Sequence, residues 1–263
     1  MKLGLTLTLA CAALSAFAGL GCASTNDTTG NDTTGAGAAG GAGGAGGGAP
    51  GVVFTALVRG TLKDDVAGSK ALHDKVVGGA RKQSMADGDV GHEPLLNKDA
   101  QPGSPLAFLS IDRWTSLDGF EAFVASPPVV DFIGAFYAGA PDVSVWTARP
   151  GWTTWGSAAD ESPRGARYVI TLRGHYAGDA AAAMKTHNAI VAGIPAPGAV
   201  ALGNTAHMLF ATPKDDSELL VIEVWTNQKA QEQTYMALGP QIAKLWDGMP
   251  DIERWDTTDW TRW

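Results

Sequence analysis

Leu57-Val58-Arg59-Gly60 and Thr171-Leu172-Arg173-Gly174 are the stretches on which the fold turns, because the landmarks downstream of the first recur downstream of the second in the same order. Fourteen residues after each arginine stands a histidine, His73 and His187, and a second comes later at His92 and His207. Asp112-Arg113-Trp114 then answers to Glu223-Val224-Trp225. Pro141-Asp142-Val143-Ser144-Val145-Trp146 answers to Pro250-Asp251-Ile252-Glu253-Arg254-Trp255. Landmarks kept in order at an offset of about 114 residues mark a duplicated unit, with one repeat over 51–156 and the other over 165–263.

Each repeat reads as strand, helix, strand, strand, helix, strand. In the second, Tyr168 to Tyr176 is extended, and Asp179 caps a helix whose Ala180, Met184, His187 and Val191 share one face. Pro195 to Gly198 ends that helix. Val200 to Ala211 and Leu219 to Trp225 flank a polar turn at 213–216 and predict a hairpin. Asn227 opens the second helix, which Gly239-Pro240 is expected to interrupt, as Pro127-Pro128 is in the first repeat. Pro250 precedes a last strand running to Trp260.

A βαββαβ unit is a ferredoxin-like antiparallel sheet with both helices on one face, which places the chain in the α+β class. The other sheet face must be covered, and the sister repeat supplies the cover. The sequence therefore predicts two halves packed sheet to sheet as a barrel inside one polypeptide, a pseudo-dimer that needs no second copy.

Ahead of the repeats the composition changes. Residues 1–22 have a basic start at Lys2, an apolar run from Leu3 to Phe17, and small residues before Cys22. The run is too rich in Ala, Gly and Thr for a permanent span, so cleavage is expected. Residues 23–50 repeat Asn-Asp-Thr-Thr-Gly and then become almost wholly Gly and Ala, a tether with nothing to bury and a reach of roughly 30 Å. Cys11 lies in the segment to be removed, which leaves no disulfide in the mature fold. A formal net charge of −8 gives no basic stripe for phosphates and disfavours nucleic acid as a partner.

The N-terminal segment resembles a bacterial lipoprotein signal with its lipobox, although Gly19 stands where Leu is preferred. The resemblance implies lipidation of Cys22, export, and anchoring to a membrane of the cell envelope. Ala23 in place of Asp points to the outer membrane. The strand ending in Arg-Gly, Trp114 or Trp225 closing the third strand, the broken second helix and the Trp-bearing last strand resemble the dimeric α/β barrel superfamily, in particular antibiotic-biosynthesis-monooxygenase-like domains. Haem-degrading members carry an asparagine on the first strand and a histidine on the second helix. Neither is present here, so no haem and no other cofactor is expected. The resemblance implies cofactor-independent oxidation or cyclisation of a hydroxylated aromatic. The alternative is a non-catalytic envelope lipoprotein that binds a hydrophobic small molecule or a partner protein.

Within that frame His73 and His187, on the inner face of the first helix of each repeat, are the candidate general bases. A histidine satisfied within the core is the competing reading, and recurrence brings the two close to even. His92 and His207 are expected at the surface or a sheet interface, and no metal is expected because no compact ligand spacing occurs. Arg59 and Arg173, ending the first strands, are candidates to hold a phenolate or carboxylate. Trp114 and Trp225 are candidates for an aromatic wall, although packing alone accounts for them. Trp152, Trp155, Trp260 and Trp263 come after the last strands and are expected to clamp one half against the other.

Overall fold

A computed structural model describes residues 54–100, 104–156, 167–194, 198–213 and 215–263. The expected export segment, Cys22 and the expected tether lie outside the described residues. The first repeat comprises β1 (Phe54–Thr61), α1 (Val66–Ala86), β2 (Asp89–Asn97), β3 (Ala107–Trp114), α2 (Leu117–Val124), α3 (Pro127–Phe136) and β4 (Asp142–Ala148). The second comprises β5 (Tyr168–His175), α4 (Ala180–Ala192), β6 (Asn204–Ala211), β7 (Glu218–Trp225), α5 (Gln228–Ile242) and β8 (Asp251–Thr257). Among these helices no single one is long and apolar enough to cross a membrane.

Local chemistry repeats with the topology. Asp65 and Asp179 cap the first helices by accepting from the backbone N–H of Gly68 and Ala182. Ser116 and Asn227 do the same for Gly119 and Ala230 at the second helices. The Pro127 break is real, bending α2 against α3 by 65°. Pro240 does not break α5. It sits in the last turn, where losing one backbone bond leaves no further helix to displace. Strand β6 also starts later than Val200, because residues 199–203 turn to bring Gly203 to φ +102. Gly88 ahead of β2 has φ +109, and a Cβ on either glycine would stand 2.8 Å from a threonine hydroxyl, Thr226 or Thr115.

The eight strands close into one antiparallel barrel in the order β1-β3-β2-β8-β5-β7-β6-β4. Each half has the ferredoxin-like order, and the halves meet edge to edge at two seams. β2 pairs β8 through Leu95–Thr257, Leu96–Asp256 and Asn97–Trp255, and β4 pairs β6 through Thr147–Ala211 and Ala148–Phe210. Among the described residues, closure leaves the sheet no free edge strand.

Strand alternation then sorts side chains into compartments. Leu109 and Ile111 of β3, Leu220, Ile222 and Val224 of β7, and Trp146 and Trp255 of the last strands fill the barrel interior. Phe108, Leu219, Val221 and Trp225 face outward into the helix layers. The Arg-Gly signature has a packing cause. A Cβ on Gly60 would come within 2.5 Å of the Tyr137 ring, and one on Gly174 within 3.2 Å of Trp246.

Candidate functional site

Between the sheet and the helices of each half lies a cavity, and the repeated histidines line it. The first encloses about 690 Å³ of atom-free space partly open to solvent, with His73, His92, Asp89 and Asp112 among aromatic walls. The second encloses about 590 Å³, with His187, His207, Asn204 and Glu223 in the matching places. His73 and His187 are 1% and 3% exposed, so both point inward from α1 and α4.

His92 and His207 do not take the surface or sheet-interface positions expected of them. In register with Asp112 and Glu223 they share the sheet face that meets the helix layer, and a bulge between Asp89 and Gly91, with another between Asn204 and Ala206, brings Asp89 and Asn204 onto that same face. There the histidines pair: His73 Nε2 is 3.1 Å from His92 Nε2, and His187 Nε2 is 2.8 Å from His207 Nε2. Each second histidine is bonded in turn to a buried carboxylate of the third strand. His92 Nδ1 lies 2.5 Å from Asp112 Oδ1, and His207 Nδ1 lies 2.9 Å from Glu223 Oε1. The Ser110 hydroxyl donates to Asp112, while Trp225 Nε1–H and the Tyr235 hydroxyl donate to Glu223.

The partners of the second relay place its protons. Asn188 Oδ1 accepts the Thr153 backbone N–H and its Nδ2 donates to Gly151, so the oxygen faces His187 Nδ1, 3.0 Å away. His187 Nδ1 therefore carries a hydrogen. Burial, then the neighbouring His207, pushes the His187 pKa down to about 4, so the ring is neutral and its Nε2 is a bare acceptor. His207 must donate from Nε2 to His187 and from Nδ1 to Glu223, which makes it an imidazolium paired with a carboxylate. Burial works against the charge on Glu223, but bonds from His207, Trp225 and Tyr235 outweigh it and hold its pKa low.

The first relay has the same logic with Asp74 in place of Asn188. Asp74 Oδ1 accepts from the Thr261 backbone N–H and lies 3.2 Å from His73 Nδ1. Burial and then His92 push the His73 pKa down to about 4. Burial opposes charge on His92 as well, but Asp112, Asp89 and Glu93 prevail and raise its pKa.

Each cavity is closed by the other repeat. Trp152 and Trp155, which come after β4, pack on His187 and His207 with centroids 5.1 and 4.7 Å apart. Trp260 and Trp263, which come after β8, pack on His73 and His92 at 5.1 and 4.8 Å. Backbone bonds fix both tails: Trp155 exchanges two with His207, and Trp263 two with His92. The tails thus cross between halves, with one Trp-bearing segment serving each site.

Trp114 and Trp225 line the first and second cavity respectively, each 1% exposed. Arg59 and Arg173 reach neither. Arg59 is bound by Glu253, and Arg173 by Glu218 at 2.7 Å and Asp142 at 3.3 Å. As strand-end residues they meet carboxylates instead of the helix layer, so the structure removes them from any role in the cavities.

An iron or zinc ion would need a ring nitrogen with a free lone pair. In each pair both nitrogens of both rings are already engaged, so these residues do not fit an axial or metal ligand set. Among the described residues no group of three or more His, Cys, Asp or Glu could hold a metal.

Asp112, Glu223, Asp89, Asp74 and Tyr235 were not legible as site residues. Asp112 and Glu223 stood within a repeated landmark, two residues before a tryptophan. A carboxylate kept two residues before a repeated tryptophan, as Asp in one half and Glu in the other, was the available signal.

No protein-family model matches the chain, and no curated protein matches it in sequence. Solved structures do. A provisionally named monooxygenase of Fusobacterium nucleatum superposes with a TM-score of 0.56 at 8% identity, over 80% of this chain and 94% of that one. A provisionally named chlorite dismutase gives 0.52 at 12%, over 79% and 95%. A mutant chlorite dismutase of Candidatus Nitrospira defluvii in complex with cyanide gives 0.50 at 11%, over 79% and 91%. At such identities the likeness is one of fold. The chain shares their fold, a dimeric α/β barrel, with both barrel halves supplied by one polypeptide.

Proposed function

We propose that this monooxygenase-like domain binds hydroxylated aromatic molecules in its two cavities and acts on them without a cofactor, by oxidation or cyclisation. The observation that carries the reading is the His–His–carboxylate relay opening on an aromatic-walled cavity in each half. Such cavities favour a flat apolar ligand, and the imidazolium at His92 or His207 is a fixed positive charge beside which a phenolate or enolate is stabilised. His73 and His187, held neutral by burial, are the proton-handling positions that the relay keeps ready. A substrate that stabilises its own carbanion needs little more than this.

A second reading is favoured by one observation: every ring nitrogen of both pairs is already satisfied. A network so complete also suits a non-catalytic module that binds a hydrophobic small molecule. Oxygen uptake with a panel of hydroxyaromatics separates the two. Uptake by the native chain, lost in the folded His73→Ala/His187→Ala variant, supports the enzyme. A silent panel with ligand binding retained assigns the chain to binding alone.

The sequence of residues 1–50 supports an exported protein tethered through lipid on Cys22 to the envelope, with the outer membrane preferred. Metabolic labelling with a fatty-acid analogue tests this. Label on the native chain, absent from Cys22→Ser, is the expected result, and an unlabelled chain refutes the anchor.

A further inference from the structure

The two cavities are built on one plan, and they differ where a proton would be exchanged. Asp89 and Asn204 occupy the same bulge position at the start of β2 and β6, and each lines its cavity, 3% and 2% exposed. Asp89 is held by the Ser84 hydroxyl at 2.5 Å on one oxygen and by the Gly91 backbone N–H at 3.0 Å on the other. Asn204 Oδ1 is buried with no hydrogen-bond partner. An unpartnered acceptor in an apolar cavity destabilises the empty site, and a ligand donor removes that cost on binding. The same substitution of amide for carboxylate recurs at the far end of the relay, where Asp74 bonds His73 and Asn188 bonds His187.

We propose that the two cavities take the same class of ligand in different protonation states: the first removes the hydroxyl proton onto Asp89, and the second holds the hydroxyl intact by donation to Asn204 Oδ1. This deepens the functional reading above and rests on it. In the first cavity the ligand O–H bond breaks and an Asp89 O–H bond forms. One negative charge passes from the carboxylate to the ligand oxygen, so the total charge of the cavity is unchanged. His92, already cationic, stays as counter-charge. In the second cavity an amide oxygen accepts a hydrogen bond but no proton, so the ligand stays neutral.

Other features agree with this division. Burial, then the Asp112 carboxylate, raises the Asp89 pKa to about 6, near the range in which a general base works at neutral pH. His92 and the Arg113 guanidinium are the cations that act on it. The third-strand position two before the carboxylate is Ser110 in the first half and Val221 in the second, so the second cavity has lost a hydroxyl there as well.

The test uses the full chain and 4-nitrophenol, whose phenolate absorbs visible light while the phenol does not. Binding is followed calorimetrically for stoichiometry, and the bound spectrum is read slightly below the free probe's own pKa. Two equivalents bound with about half as phenolate is the expected native result. Asp89→Asn should keep both equivalents and lower the phenolate signal about tenfold, and Asn204→Asp should raise it about twofold. The fold itself carries asparagine at this place in one half and aspartate in the other, so both exchanges have a precedent in the molecule. A phenolate signal unchanged in Asp89→Asn with both sites filled overturns the assignment while leaving the binding reading intact. Failure of the native chain to bind any probe overturns the binding reading, and the assignment with it.

Discussion

Trp263 lies stacked on His92 with ring centroids 4.8 Å apart, although one comes after the last strand of the second repeat and the other begins the hairpin of the first. The contact is reciprocated by Trp155 on His207 at 4.7 Å. Neither cavity is complete within its own repeat. Each also depends on a seam of only a few residue pairs to hold the foreign tail in place.

Residues 51–156 and 165–263, made as separate chains, should therefore recombine. Each half alone exposes two strand edges and lacks the tail that covers its histidines. A one-to-one complex by analytical ultracentrifugation is the expected outcome, and two independently monomeric halves would contradict the crossed-tail arrangement.

The tails should differ in depth of effect. Trp260 is 2% exposed, so Trp260→Ala is expected to cost about 3–5 kcal/mol in urea unfolding. Trp263→Ala, at a less buried position, should cost roughly half as much and weaken aromatic binding chiefly in the first cavity. Equal and negligible changes in both variants would show that the tails are dispensable.

Charged pairs in the helix layer and at strand ends should respond differently to neutralisation. Glu223→Gln leaves His207 without its counter-charge and is expected to cost about 3–5 kcal/mol. Arg59→Ala breaks a pair in which the arginine side chain is 44% exposed, and the loss should stay under about 1 kcal/mol. Chemical denaturation of the two variants checks the contrast.

Acid should unfold the domain through His73 and His187. Their folded pKa values of about 4 lie below the ordinary 6.5, so the unfolded chain binds protons first as pH falls. The stability they contribute is complete above pH 6.5 and is lost on descent towards pH 4. Asp89 has the opposite sign. Its folded value of about 6 lies above the ordinary 3.8, so its contribution is complete below pH 3.8 and is lost as pH rises through 6. Asp89→Asn should therefore steepen the loss of thermal stability between pH 6 and 4 by about one proton. An unchanged slope in a melting series over that range would refute the Asp89 assignment.

The duplication, the βαββαβ order, the barrel and the inward histidines were all legible in the chain, because each rests on spacing along the backbone. The cap at Asp179, the hairpin flanking the polar turn at 213–216, and a helical face carrying His187 are local properties that one sequence reports directly. The break at Pro127 was legible for the same reason. Pro240 was misleading, because the cost of a proline depends on how much helix lies beyond it.

What tertiary structure alone decided is which side chains meet. Strand pairing sets His92 against Asp112 and His207 against Glu223 on the face that meets the helix layer, and a bulge beside Gly91 and another beside Ala206 shift register by one residue to bring Asp89 and Asn204 onto the same face. The pairing of His73 with His92, the carboxylates behind them, the capture of Arg59 by Glu253, and the crossing of the Trp-bearing tails all join residues distant in sequence. Barrel closure brings those residues together, and no periodicity along the chain encodes such contacts.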